Sequence, residues 1–276
     1  VCYKINGSDS RFDDPMHYSR SFKLFMDNVK PKYAIPFASN HCHLHKDVFQ
    51  FNEIINDPFI LSKNIDGMGG LTSSNFKVML SGDSWSSIDG FSINSQNQKY
   101  FKHKEDALNE YRLQKKDELD KYYNREAKQK LNKRTLRSFE GQLLSIPLLF
   151  KKKLKNWSFL IVLSYDQEVK YLKVTPYVSL VQELFSNELQ SFKTKIYMPL
   201  IVFNDAVHMN MFHHSGISKR NKYIFDSYDE LHKWEICNGL LEKVELQVFP
   251  IKVKYVLNFI SSYSRRWREL IVYVQA

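Results

Sequence analysis

The sequence has 276 residues, of which 43% are hydrophobic and 14% are aromatic, with a formal net charge of +10. The length allows one large domain or two ordinary ones, and the composition is enough to fill a core, which excludes an intrinsically disordered chain. No window of 18 consecutive apolar residues occurs, which argues against a transmembrane helix.

The three cysteines are odd in number and widely spaced, at Cys2, Cys42 and Cys237. This pattern argues against a disulfide framework and favours a reducing compartment, so we expect a cytoplasmic protein. The sequence has no initiator Met and begins with a strand-like run at residues 1–3. We therefore expect it to be a piece of a longer protein.

The first predicted elements are a helix and then a buried strand. Residues 13–15, Asp-Asp-Pro, are typical of a helix start, and apolar residues continue the helical pattern to Val29. Pro31 disfavours the helical conformation at the residue before it and so ends that helix. Residues 33–38 form an apolar run too short for a helix, which predicts a strand with both faces buried. A second short strand is predicted at residues 76–80.

Candidate metal ligands follow both predicted strands. His41, His43 and His45 alternate along the chain after the first strand, so an extended backbone would point all three side chains the same way. Asp83 follows the second strand. Imidazoles gathered at the end of a buried strand can hold a metal or a proton-transfer network. The alternatives are a polar loop with structural histidines, and a tight turn in which Asp83 caps its own backbone.

The positive charge is concentrated in the middle of the chain. Residues 102–155 contain 16 Lys/Arg and 8 Asp/Glu, a net charge of +8. Such a patch can contact nucleic acid, anionic lipid or an acidic partner. The alternative is a solvated helix face, because acidic residues are interleaved with the basic ones. We predict helices at residues 103–132 and 136–150, the second disturbed near Pro147.

The last third of the chain predicts alternating strands and helices. The strands are predicted at residues 157–163, 169–174 and 222–225. The helices are predicted at residues 176–189, 199–214 (ended by Gly216), 229–241 and 253–271. Arg265, Arg266 and Arg268 flank Trp267 on the last helix, a combination that can bind phosphates or bases or make surface ion pairs.

Three stretches of the sequence resemble the last part of a metallo-β-lactamase-fold domain. They are K-P-K-Y-A-I-P-F-A-S-N-H-C-H-L-H at residues 30–45, F-N at residues 51–52 and V-M-L-S-G-D-S-W at residues 78–85. The most similar branch includes the CMP-N-acetylneuraminate hydroxylases and related bacterial proteins. The resemblance covers roughly residues 1–85 and implies an α/β fold, with a partial αββα sandwich that we assign to residues 1–98. A basic helical connector over residues 99–156 and a smaller α+β domain over residues 157–276 would suit such a protein.

The resemblance also implies a metal-dependent hydrolase, in which metal-activated water attacks a carbonyl or phosphoryl centre. Zinc or iron would be held by His41, His43, His45 and Asp83, and the substrate would be a phosphorylated, nucleotide-linked or lipid-linked small molecule. The family's first metal signature, His-x-His-x-Asp-His, is absent from the chain. Either the chain begins after that signature, as the C-terminal portion of a longer enzyme, which is the interpretation we favour, or it is a degenerate member of the family. In both cases we expect it to be inactive alone, with a tail domain that shapes the substrate cleft or mediates association into an oligomer.

A non-catalytic binding module is the alternative from another functional class. In this hypothesis the basic helices of residues 102–155 and the arginine-rich last helix recognise an anionic polymer or a membrane surface, and the histidines are structural.

Overall fold

The computed structural model describes residues 3–5, 16–36, 42–53, 58–67, 76–94, 103–165, 168–185, 189 and 191–250. The helices are α1 (His17–Val29), α2 (Pro58–Gly67), α3 (Lys104–Gln114), α4 (Lys116–Ala127), α5 (Lys133–Ser145), α6 (Leu200–His208) and α7 (Tyr228–Glu245). The strands are β1 (Tyr3–Ile5), β2 (Ser84–Ser86), β3 (Gly90–Ser92), β4 (Phe159–Tyr165), β5 (Glu168–Thr175), β6 (Leu180–Leu184), β7 (Thr194–Pro199) and β8 (Lys222–Phe225). Short 3-10 helices lie at Phe49–Glu53, Lys152–Leu154 and Phe212–Ser218. In the described ranges, none of the helices combines the length and the apolar character that a membrane span requires.

The chain divides into two compact units. The helical body is residues 8–124, and the sheet body is residues 1–7 together with residues 125–276. Helices combined with a mixed sheet confirm the predicted α/β class. The more specific αββα sandwich stays a prediction.

The helical body has a small core shared by α1, α2 and the segment after α1. Met26 of α1 and Leu61 of α2 are each only 2% exposed. Asn64 of α2 donates its side-chain N–H to the Ser19 hydroxyl of α1 at 3.0 Å. Helix α1 ends where predicted, because Lys30 adopts a left-handed φ of 47° and its N–H bonds the Met26 carbonyl at 2.8 Å.

The segment predicted as an interior strand, residues 33–38, is half-exposed in its described part. Ala34 forms one parallel bridge to the first residue of the second predicted strand, residues 76–80, and the described residues show no longer ladder there. Tyr33 and Ile35 are 37% and 42% exposed, so the prediction of a strand buried on both faces is wrong. The proline within the segment has no N–H to extend the pairing.

The sheet body is built on one mixed sheet with the strand order β1-β8-β7-β4-β5-β6. Strands β4, β5 and β6 form an antiparallel meander, β7 returns parallel to β4, and β8 runs antiparallel to β7. The short strand β1 pairs in parallel with β8. The chain therefore passes from β6, at one edge of the sheet, back across β5 and β4 to β7. Strand β4 lies between β7 and β5, near the centre of the sheet.

Strand β4 is an interior strand of the sheet, between β7 and β5. Its residues from Phe159 to Leu163 are all buried, five in succession. Phe159, Ile161 and Leu163 join the main core, whereas Leu160 and Val162 pack with Phe192 in a second cluster. Apolar residues on both faces are typical of a strand covered on both sides. The main core also contains Phe139 of α5, Phe203 of α6 and Trp234 of α7.

The helix predicted at residues 176–189 is wrong. Residues 176–179 form a turn in which Ser179 has a φ of 57°, and β6 follows directly. Val181 is buried while its neighbours Leu180 and Gln182 are exposed. The spacing of the apolar residues fits a helix and a strand equally. These residues form a strand because their backbone hydrogen-bonds to the free edge of β5.

The helix predicted at residues 199–214 is shorter than expected. Helix α6 ends at His208, and Asn210 adopts the left-handed φ of 55° that the sequence predicts for Gly216. Gly216 instead lies inside the 3-10 helix that follows. Asparagine enters the left-handed region more readily than most residues other than glycine, so it can end a helix there.

The two predicted basic helices are confirmed in outline. The helix predicted at residues 103–132 is α3 followed by α4, interrupted at Lys115, and the helix predicted at residues 136–150 is α5. Helix α5 ends at Ser145 because Ile146 precedes a proline and is extended, with ψ at 120°.

Other predictions of elements in the sheet body are confirmed. These are β4, β5, β8 and α7, each within a few residues of its predicted bounds. The helix predicted at residues 253–271, with its arginine cluster, lies outside the described residues.

Candidate functional site

The histidine segment is held by a buried asparagine. Asn52, 3% exposed, accepts the His43 N–H at 2.8 Å and donates to the carbonyls of His43 and Phe49, both at 2.8 Å. The His43 ring lies edge-on to Phe51 with 6.5 Å between the ring centroids. These contacts fix the backbone at His43. His41 lies outside the described residues.

His45 packs against helix α4. Its ring lies edge-on to Tyr122 and Tyr123, with centroid distances of 5.7 and 4.9 Å. Its Nδ1 accepts the Asp47 N–H at 3.2 Å, and the Asp47 carboxylate lies 3.6 Å from the same nitrogen. The Lys46 N–H also bonds the Tyr123 hydroxyl at 3.1 Å. The segment around His45 is thus tied to α4 by both side-chain and backbone contacts.

Asp83 caps a turn. One carboxylate oxygen accepts the Leu80 N–H at 2.7 Å, and the other accepts the Asn94 N–H at 2.9 Å. The Asp83 N–H bonds the Leu80 carbonyl at 2.9 Å, and Gly82 adopts a φ of 96° that only glycine takes readily. Both oxygens therefore bind backbone, which is the arrangement of the turn-capping alternative.

The described part of the predicted metal set does not form one cluster. The possible ligand atoms of His43, His45 and Asp83 do not all lie within 4.8 Å of one another. This arrangement does not fit a zinc or iron ion held jointly by these three residues, since ligand atoms around one ion converge on a point about 2 Å from each of them. The four-residue site that includes His41 stays a prediction.

The positive charge of residues 102–155 lies wholly in the part that belongs to the sheet body. Residues 102–124 have six Lys/Arg and six Asp/Glu, whereas residues 125–155 have ten and two. We call residues 125–155 the basic segment. Its net charge is +8, so all other residues together contribute only +2 to the charge of the chain.

Most cations of the basic segment are exposed. Eight of them have no ion-pair partner among the residues that the structure describes. They are Lys128, Lys130, Lys133, Arg134, Arg137, Lys152, Lys153 and Lys155. The two acidic residues of the segment bind elsewhere, since Glu126 pairs with Arg220 and Glu140 accepts the Val181 N–H at 3.1 Å. A ninth cation, Arg125, pairs with Asp205 at 2.8 Å.

Lys151 is the buried member of the segment. It is 4% exposed, and its ammonium donates to the Leu143 carbonyl at 3.1 Å and the Ser179 hydroxyl at 2.7 Å. Burial lowers the pKa of Lys151. Burial also raises the pKa of Cys237 to about 12, which keeps that thiol protonated. Lys151 thus ties the basic segment to its surroundings and does not face solvent.

A groove of about 400 Å³ lies between α3 and α4 of the helical body. It is lined by Asn109, Arg112, Leu113, Lys116, Leu119, Asp120 and Tyr123. Two cations and one carboxylate line it, and the Arg112 guanidinium lies 4.8 Å from the centre of the Phe49 ring. The groove therefore adds little to the positive surface.

Sequence reasoning found the charge of the basic segment but missed its boundary and its anchor. Counting acidic and basic residues separately on each side of residue 125 would have shown the boundary. Nothing in the sequence distinguishes Lys151 from the two lysines that follow it, because its burial depends on the turn around Ser179. Comparison with known proteins gave no match to a family model, to a curated protein or to a solved structure.

Proposed function

We propose that this chain is a binding module whose sheet body recognises an anionic partner through the basic segment. The proposal is supported chiefly by the eight exposed cations that lack an ion-pair partner among the described residues. Cations on a structural helix face are usually accompanied by carboxylates three or four residues away. Residues 102–124 contain as many carboxylates as cations, and Lys115 pairs with Glu118 there at 2.8 Å. The basic segment has ten cations and only two carboxylates, Glu126 and Glu140, which bind Arg220 and the Val181 N–H.

The electrostatic consequence is a local field that attracts anions. A net charge of +8 within 31 residues is much denser than the charge of the rest of the chain. At physiological ionic strength, charges are screened over about 8 Å, so neighbouring cations on one helix still act together. A polyanion that neutralises several of them releases counterions, which makes its binding steeply dependent on salt.

The experiment compares two double variants in the full chain. Lys133→Gln with Arg137→Gln removes two exposed cations from α5, and Lys116→Gln with Lys121→Gln removes two from the charge-balanced helix α4. The probe is a fluorescent heparin fragment titrated at several NaCl concentrations. We expect the α5 variant to bind heparin more weakly and to show a less steep salt dependence, with the magnitude of the negative slope of log K against log [NaCl] reduced by about 2. The α4 variant should resemble the wild type.

Equal losses in the two variants, or no heparin binding by the wild type, would contradict the proposal. The metal-dependent hydrolase predicted from the family resemblance responds to a different treatment. Its activity would be abolished by a chelator and would be insensitive to moderate salt. Measuring both responses on the same preparation separates the two functions.

A further inference from the structure

A run of exposed apolar side chains lies directly beside the cations of the basic segment. We call residues 144–155 the apolar-basic loop. Leu144, Leu148, Leu149 and Phe150 are 69%, 55%, 65% and 46% exposed. Lys152, Lys153 and Lys155 follow and are also exposed. Adjacent exposed apolar residues rimmed by polar ones mark an interaction site more often than a chance feature of the surface.

The backbone of this loop is fixed by successive turns. The N–H groups of Phe150, Lys151 and Leu154 bond carbonyls three residues earlier, at 3.0, 3.1 and 2.9 Å. Buried side chains anchor both ends, since Ile146 is 2% exposed and Trp157 is 4% exposed. The exposed leucines are therefore presented by a defined scaffold.

Neighbouring segments extend the apolar surface. Lys151 binds the Ser179 hydroxyl, and the residues on either side of Ser179, Val178 and Leu180, are 59% and 45% exposed. The Phe150 ring lies 5.2 Å from the ring of Phe249. Val248, next to Phe249, is 47% exposed. Two other segments of the sheet body thus contact the loop, and each has exposed apolar residues beside its point of contact.

We infer that the anionic partner is a lipid bilayer and that the apolar-basic loop docks on its surface, an inference that rests on the proposed function. The leucines would enter the boundary between headgroups and acyl chains, while the lysines contact anionic headgroups. Exposed leucines next to lysines thus match an apolar acyl region that is covered by anionic headgroups. A nucleic acid fits less well, because a single strand is bound by stacking on aromatic faces, a duplex is bound through its phosphates, and neither accounts for exposed leucines beside the cations.

The test uses the full chain and vesicles of phosphatidylcholine with or without phosphatidylserine. The variant Leu148→Ser with Leu149→Ser removes two exposed apolar side chains, and Leu113→Ser removes one that is 72% exposed in the helical body. We expect the loop variant to lower partition into phosphatidylserine vesicles by about tenfold or more and to bind heparin as the wild type does. Leu113→Ser should leave both measurements unchanged.

A second variant reports insertion when its emission is compared with that of the wild type, which has four tryptophans. Phe150→Trp should show a blue-shifted emission with phosphatidylserine vesicles and none with phosphatidylcholine alone, and circular dichroism checks that each variant folds. Heparin binding without vesicle binding would overturn the lipid inference and leave the proposed function standing. The absence of both would overturn both. A concentration-dependent dimer that Leu148→Ser with Leu149→Ser abolishes would assign the loop to a second copy of the chain and also overturn the inference.

Discussion

At the scale of single residues, Glu230 is the most constrained carboxylate among the described residues. It is 5% exposed and accepts hydrogen bonds from Trp157 Nε1 at 2.8 Å and from the Thr194 hydroxyl at 2.7 Å. Lys233 donates to its other oxygen at 3.3 Å. Burial alone would raise the pKa of Glu230, but these three hydrogen bonds outweigh it and hold the pKa below its ordinary value of 4.5.

The depressed pKa of Glu230 predicts how stability depends on pH. Its contribution is present above the unfolded-state pKa and is lost as the pH falls through the lower, folded-state value. We expect Glu230→Gln to reduce the free energy of unfolding by about 1–3 kcal/mol at neutral pH, because the charged acceptor is lost. The difference from the wild type should narrow below about pH 4.5. Urea denaturation at a series of pH values measures it.

Glu235→Gln is the matched control for Glu230. Its side chain is on the same helix but is 63% exposed, so we expect little change in stability at any pH. A difference between wild type and Glu230→Gln that stayed constant down to pH 3 would contradict the linkage argument.

Asp83 allows the capping and metal-binding interpretations to be separated. Replacing it by Ala removes the acceptor for the N–H groups of Leu80 and Asn94. We expect Asp83→Ala to lower the free energy of unfolding of the helical body by about 1–3 kcal/mol, equally with and without a chelator. Asp83→Asn should be intermediate, because its amide retains one acceptor oxygen.

Thermal unfolding with EDTA and with added zinc measures the effect of Asp83→Ala. A loss of stability that appears only with zinc would identify Asp83 as a ligand and contradict the capping interpretation.

At the scale of elements, the sequence predicts those whose apolar pattern matches a single structure. Strand β8 is found at its predicted bounds, and β4 and β5 are shifted by two residues or fewer at each end. The run at residues 180–184 was ambiguous, because it fits a helix as well as a strand, and only the neighbouring edge of β5 decides. The short apolar run at residues 33–38 suggested an interior strand, but its described part makes only one bridge, whereas β4 has five successive buried residues and a strand on each side.

The candidate site was less predictable than the fold. The backbone hydrogen bonds of Asp83 and the contacts of His45 with α4 join residues far apart in sequence, so spacing alone could not show them. Net charge was predictable, since it depends on composition alone. The exposure of Leu148 and Leu149 was not, because it requires the helix to stop at Ser145 and the chain to turn.

At the scale of the whole molecule, the two bodies differ in how much apolar surface they bury. Among the described residues, the main core of the sheet body has 25 buried residues, whereas the core cluster of the helical body has five. Local stability follows the amount of buried apolar contact and the protection of backbone hydrogen bonds. Two bodies with such unequal cores need not unfold in one step.

We therefore predict that the helical body opens before the sheet body. Amides of β4, bonded to β5 on one side and to β7 on the other, should exchange with solvent more slowly than amides of α1 and α2 by about tenfold or more. Hydrogen–deuterium exchange followed by mass spectrometry measures this difference, and the exposed helix α3, which has no buried residue, provides the fast-exchanging reference. Equal protection of α1, α2 and β4 would show that the chain opens as one cooperative unit. Helix α5 of the basic segment contributes Phe139 and Leu143 to the main core of the sheet body. Slower exchange in β4 would therefore mean that the basic segment belongs to the more stable of the two bodies.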